Sequence, residues 1–104
     1  SARSERVTRF RARTATANAS RYLQQLSKHW SHKLKVEFDP AHSRIEFDGG
    51  AVCTLDATES HLDMLLEGAD RARVERLRAV VADHVKRFAF REEFEVEWHE
   101  DATT

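Results

Sequence analysis

Two groups of basic side chains carry the chemistry open to this 104-residue chain. His29 and His32 stand three residues apart, with Lys33 directly after them. On a helix, imidazoles one turn apart point the same way and can share a zinc, iron or copper ion. The pair also fits a purely structural role, because histidines near a helix C-terminus favour the negative end of the backbone dipole. Further along, His84, Arg87 and Arg91 follow Val80 at spacings of four, three and four, which lays them along one helix flank. Guanidinium groups in a row grip carboxylate or phosphate through paired hydrogen bonds, so the stripe reads as an anion-binding ledge with an imidazole beside it. The alternative for this stripe is a solvated edge of extended arginines.

Two amphipathic helices have to hold these groups. Thr16 is a suitable cap for a helix running to about His32, with Ala19, Leu23, Leu26 and Trp30 on its apolar stripe and Tyr22 at the shoulder. Gln25, His29 and His32 then share one flank. Asp70 caps a second helix to about Arg91, in which Val74, Leu77, Val81, Val85 and Phe88 recur at three- and four-residue intervals. The two polar flanks lie on the same rotational side of their stripes. Antiparallel helices therefore turn them toward each other, whereas parallel helices do not. The expected groove is lined by His29, His32, His84, Arg87 and Arg91, with Lys33 at its mouth and Tyr22 or Trp30 on its wall. Glu92 either pairs with Arg91 or Arg87 or stays in solvent.

The rest of the chain reads mainly as strands. Thr8, Phe10, Ala12 and Thr14 alternate with Arg9, Arg11 and Arg13, a pattern that fits a strand or a basic arm. Leu34, Val36 and Phe38, then Ile45 and Phe47, flank an Asp39-Pro40 turn, and Asp48-Gly49-Gly50 leads into Ala51, Cys53, Leu55 and Ala57. Thr58 or Ser60 can cap a short helix with Leu62, Leu65 and Leu66 inward, since Ser60 and Asp63 have capping-box spacing and Gly68 can end it. Phe94, Val96 and Trp98 alternate with Glu93, Glu95 and Glu97 as a C-terminal strand. One apolar face per strand and one stripe per helix give an α+β class. The architecture is a two-layer sandwich, a mostly antiparallel sheet of four to five strands with two main helices and one short helix on one face. The arginine row at 9–13 is expected opposite the glutamate row at 93–97.

Composition sets the outer limits. With 40% apolar and 34% charged residues, the chain has room for a single domain over residues 1–104, with 1–7 and 100–104 expected as flexible tails. Residues 1–52 carry ten Lys/Arg against five Asp/Glu, and residues 53–104 seven against thirteen, so halves of +5 and −6 oppose each other. That opposition favours pairing within the molecule and argues against nucleic acid as a partner. No apolar run is long enough to span a membrane, and the opening SARSERV has no leader-like apolar stretch, so the expectation is a cytoplasmic protein. Cys53, the single cysteine, excludes an intrachain disulfide and reads as a buried apolar residue. Glycine-rich phosphate loops, H-E-x-x-H and nucleophile elbows are missing, and Glu92 and Glu93 point to opposite strand faces, so a non-enzymatic role is favoured. His42, His61 and His99 read as surface residues.

The segments Ala19-Ser20-Arg21-Tyr22-Leu23-Gln24-Gln25-Leu26, His29-Trp30-Ser31-His32-Lys33, Val80-Val81-Ala82-Asp83-His84 and Arg87-Phe88-Ala89-Phe90-Arg91-Glu92 together resemble a bacterial family, domain of unknown function 2218 (DUF2218). The resemblance covers nearly the whole chain and implies no established activity. It implies a setting of iron acquisition, since some members resemble neighbours or partners of siderophore-interacting proteins. Where the family pattern carries a Cys before the first His, this chain has Ser27-Lys28. The first expected function is a binding module that holds a small anionic or metal-chelated ligand, such as a ferric siderophore, in the His/Arg groove. The second is an interaction module, a homodimer or the partner of a siderophore-interacting reductase, docking through the charged sheet face or the arginine-rich first strand. The third is a metal-dependent enzyme or haem-handling protein with His29 and His32, and with or without His84, as ligands.

Overall fold

A computed structural model describes residues 7–101. The chain runs β1 (Thr8–Ala15), α1 (Ala19–Trp30), β2 (Lys35–Phe38), β3 (His42–Glu46), β4 (Val52–Ala57), β5 (His61–Gly68), α2 (Arg71–Phe88) and β6 (His99–Glu100). The strands form one antiparallel sheet in the order β2-β3-β4-β5-β1-β6, with six strands where four to five were expected. Strands β2 to β5 are a meander, and β1 inserts between β5 and β6. Phe10, Ala12, Ile45, Cys53, Leu55, Leu62, Met64 and Leu66 make the covered face. On that face α1 crosses β2 to β5, and α2 lies over β5 and β1.

Local chemistry explains the turns. The Asp39 carboxylate accepts the Ala41 and His42 amides at 2.8 and 2.9 Å, closing the β2–β3 hairpin. Gly49 and Gly50 both take φ of +86°, which only residues lacking Cβ adopt readily, and they reverse the chain between β3 and β4. Asp70 caps α2, its side chain accepting the Arg73 amide at 3.3 Å. At Gly68 the backbone is in close contact. A Cβ there would come within 3.0 Å of Val74 Cγ2 and 3.2 Å of Ala51 Cα.

The expected short helix after Ser60 is instead strand β5. Leu62, Met64, Leu66 and Gly68 are buried while His61, Asp63, Leu65 and Glu67 alternate outward, and the strand pairs on both sides, with β4 and β1. The leucine spacing suits either period, and two ladders of neighbours outweigh a capping box. The C-terminal strand is shorter than its pattern suggested. Residues 93–98 bury Phe94 and tuck in Val96 and Trp98 as the alternation predicts, yet ladder pairing is confined to His99–Glu100 against Phe10 and Arg11.

The arginine row is real, but its partners are not Glu93, Glu95 and Glu97. Arg9 pairs with Glu67 at 2.9 Å, Arg13 with Asp63 at 2.7 Å, and Arg11 with Asp101 at 2.5 Å. Register places Arg9 opposite Glu67 and Arg13 opposite Asp63, so β5 takes the two ends of the row and Arg11 is left to Asp101, just past β6. Of the expected tails, residues 1–6 and 102–104 lie outside the described residues. Glu100 is no tail residue: it receives both terminal nitrogens of Arg71 at 2.8 Å, and Asp101 holds Arg11. Both helices end early, α1 at Trp30 rather than His32 and α2 at Phe88 rather than Arg91. Thr16 is not the cap residue. Asn18 holds that position, while Thr16 Oγ1 accepts the Asn18 amide at 3.0 Å. Among the described residues no helix is long and apolar enough to cross a membrane.

Candidate functional site

The depth of α1 on the sheet is set by a buried polar clamp. Ser27 Oγ donates to the Leu23 carbonyl at 2.7 Å and sits 2.7 Å from Ser43 Oγ on β3, both serines being fully buried. This contact fixes the next turn of α1, which carries His29 and Trp30. Trp30 is buried edge-on against Phe47, ring centres 5.0 Å apart, and its other side meets His84 of α2 at 4.9 Å.

The two helices are antiparallel. His29 near the end of α1 meets His84 and Phe88 in the last turns of α2, whereas Asn18 and Tyr22 at the start of α1 meet Glu92 beyond the end of α2. The polar flanks therefore face each other. The rings of His29 and His84 are 5.4 Å apart, with Phe88 6.3 Å from His29. His84 Nδ1 lies 2.7 Å from the Val80 carbonyl, which can only accept. Nδ1 therefore carries the proton, and Nε2 keeps its lone pair in the neutral ring.

The field around this pair is positive. Packing of the His29 ring, and then the charges of His84, Lys33, Arg87 and His32, hold its pKa below the ordinary imidazole value. Among the described residues none of His29, His84, Lys33 or Arg87 has a carboxylate partner; the ion pairs lie on the open sheet face or around the start of α2.

The remaining expected residues sit elsewhere. His32 lies exposed in the turn past the end of α1, one residue beyond Ser31, where the backbone still closes an i→i−4 bond from the Leu34 amide to the Trp30 carbonyl at 2.8 Å. The imidazole whose ring stands beside that of His29 is His84. Among the described residues no three His, Cys, Asp or Glu side chains converge on a common metal position. Arg91 falls in the turn after α2 and stacks on the exposed Phe90 at 5.3 Å. It lines a neighbouring open cleft of about 570 Å³ with Arg21, Gln25, Phe88 and Phe90. Phe88 borders both places.

Glu92 pairs with neither Arg87 nor Arg91. Its Oε2 accepts from the Tyr22 hydroxyl, from Thr16 Oγ1 at 3.1 Å and from Asn18 Nδ2 at 3.2 Å. These hydrogen bonds, Tyr22 first, hold its pKa below the usual carboxylate range. Burial and then Glu92 itself push the Tyr22 hydroxyl up. Tyr22 is thereby committed to the seam under the N-terminus of α1 and does not form a wall beside His29. Burial raises the Cys53 thiol to about 12, so it is a packed side chain with no thiolate chemistry near neutral pH.

Sequence reasoning missed Phe88 as part of the floor and Arg21 as a member of the second cleft. Arg21, Gln25 and His29 stand at four-residue steps, the signal that places them on one flank of α1.

A family model described as an uncharacterized protein conserved in bacteria (DUF2218) matches residues 11–99. The chain is similar to the NMR structure of PA4090 from Pseudomonas aeruginosa, with 37% identity and a TM-score of 0.75, covering 88% of this chain and 95% of that one. No curated protein matches.

Proposed function

The chain belongs to this bacterial family of uncharacterized proteins, and from that premise we propose that it is a non-enzymatic binding module for a small anionic or metal-chelated ligand. The ligand lies in the groove between the ends of α1 and α2. One observation carries the reading: the His29 and His84 rings stand 5.4 Å apart, the charges of Lys33 and Arg87 reach His29, and none of the four has a carboxylate partner among the described residues. Arg87 supplies a planar fork for a carboxylate or phosphate, and Lys33 a compact charge. Trp30 and Phe88 form the apolar floor. Resemblance to proteins found beside siderophore-interacting proteins makes a ferric chelate the first ligand class to test.

The test is a fluorescence titration with citrate and ferric citrate. Trp30 touches His84, so binding should quench its emission in a saturable way. Arg87→Ala should weaken the affinity at least several-fold, and an unchanged affinity overturns the assignment.

The second reading, an interaction module, is favoured by Phe90, which is 74% exposed beside Arg91. Exposed aromatic and arginine side chains are the types that dominate protein interfaces. The first-strand arginines are already engaged within the molecule, so the docking surface moves from the sheet face to this turn. Light scattering at low and high salt, on the native chain and Phe90→Ser, tests for a homodimer. A single monomeric mass in all four samples rejects one.

A further inference from the structure

Resting on that anion-binding reading, we propose that His29 and His84 form a two-imidazole clamp for a transition-metal ion that arrives already bound to an anionic chelator.

Ring spacing is the first support. Two imidazoles bound to one ion at metal–nitrogen distances of about 2.0–2.1 Å, with an angle between tetrahedral and right, place their ring centres roughly 4.5–5.2 Å apart. The observed 5.4 Å requires a side-chain adjustment of only a few tenths of an ångström. The second support is the hydrogen bond from His84 Nδ1 to the Val80 carbonyl. Ligating histidines commonly donate their other ring nitrogen to a backbone carbonyl in this way, which fixes the tautomer and leaves Nε2 as the donor to the metal. His29 makes no side-chain hydrogen bond among the described residues, so none has to break for its ring to shift toward a shared ion.

The missing third ligand decides what kind of metal species fits. Among the described residues no His, Cys, Asp or Glu completes a three-donor set here, so at least two coordination positions must be filled from outside the protein. Lys33 and Arg87 close by disfavour a bare dication and favour a complex whose outer atoms are carboxylates. A metal chelate of net negative charge with two open positions meets both demands. Imidazole nitrogens take the open positions, and the two cations take the chelator's oxygens.

Copper(II) nitrilotriacetate is a suitable probe, because it is anionic and paramagnetic and leaves coordination sites open. Trp30 fluorescence would report affinity, and electron paramagnetic resonance would count the nitrogens bound to copper. The expected result is saturable quenching with two added imidazole nitrogens in the spectrum. His29→Gln and His84→Gln should each lower the affinity at least tenfold, whereas His32→Gln should leave it within about twofold. The double variant Lys33→Gln/Arg87→Gln should weaken the chelate several-fold yet leave both nitrogens in the spectrum. Loss of binding in His32→Gln with His84→Gln unaffected would overturn the clamp, as would a spectrum with one imidazole or none. Citrate titrated in parallel separates the two claims. If citrate binds and the copper chelate does not, the clamp fails and the anion site stands; if neither binds, both fail.

Discussion

Glu92 shows how one carboxylate can tie three segments together. Its oxygen takes hydrogen bonds from Thr16, Asn18 and Tyr22, so the entry to α1, the first turn of that helix and the exit from α2 meet at a single charge. Glu92→Gln keeps the shape and can still offer a carbonyl oxygen to all three donors, but it loses the charge that strengthens those bonds, and should cost about 1–2 kcal/mol in urea unfolding at neutral pH. The pH dependence follows from the lowered pKa. The unfolded chain takes up the Glu92 proton first as pH falls, so its stabilisation is complete above the ordinary carboxylate value and is lost as pH drops through the folded one. Glu92→Gln should flatten that limb. His29 behaves as a group that resists charging. Its folded value lies below the ordinary imidazole value because of ring packing and the charges of His84, Lys33, Arg87 and His32. Between the two values the unfolded chain binds more protons, so stability rises with pH across that interval and levels off above it. Proton NMR of the imidazole should find His29 titrating below the usual range, and Arg87→Gln should move it upward; no movement would remove Arg87 from its surroundings.

At the scale of elements, the sequence made the two helices, the β2–β3–β4 meander and the Asp70 cap legible, because each depends on contacts within a few residues. β5 was not legible in the same way. Leu62, Leu65 and Leu66 satisfy a helical spacing while Leu62, Met64 and Leu66 satisfy a strand's, and the choice is made by pairing with β4 and β1, a contact between distant parts of the chain. Residues 93–98 show the converse. Alternation told which side chains go inward, Phe94 among them, but faces do not specify a ladder. The convergence of His29 with His84 was legible once the helices were taken as antiparallel, and the displacement of Arg91 was not, because α2 stops at Phe88 and the following turn swings it away. The position of α1 along the sheet is testable through its buried clamp. Ser27→Ala leaves the fully buried Ser43 hydroxyl without that partner and should cost about 1–3 kcal/mol, whereas adding Ser43→Ala should recover part of the loss. A double-mutant cycle on unfolding free energies measures the coupling, and strictly additive effects would show that the clamp does not hold the helix.

Over the whole molecule, charge is sorted by layer. The sheet's open face neutralises itself through Arg9–Glu67, Arg13–Asp63, Arg11–Asp101 and Arg44–Glu46, and the first three of these join the basic first half to the acidic second half. Arg71 adds a two-point link to Glu100 that fastens the C-terminal segment to the start of α2. What this sorting leaves over is positive charge on the helical layer, where Arg21, Lys33, Arg87 and Arg91 have no carboxylate within ion-pair distance among the described residues. A net charge of −1 therefore conceals a cationic ledge, and the two layers should respond differently to added ions. Sodium chloride screens both layers weakly, whereas a polycarboxylate that occupies the ledge binds only the folded chain. At a hundredfold excess over its dissociation constant such an anion adds about 2.7 kcal/mol of stability. Thermal unfolding in citrate, against chloride matched for ionic strength, should show the rise with citrate alone. Lys33→Gln/Arg87→Gln should abolish most of that rise, whereas Arg13→Gln on the sheet face should leave it intact. An equal rise in chloride, or an equal loss from the sheet-face variant, would mean that the positive layer acts through its general field and not as a site.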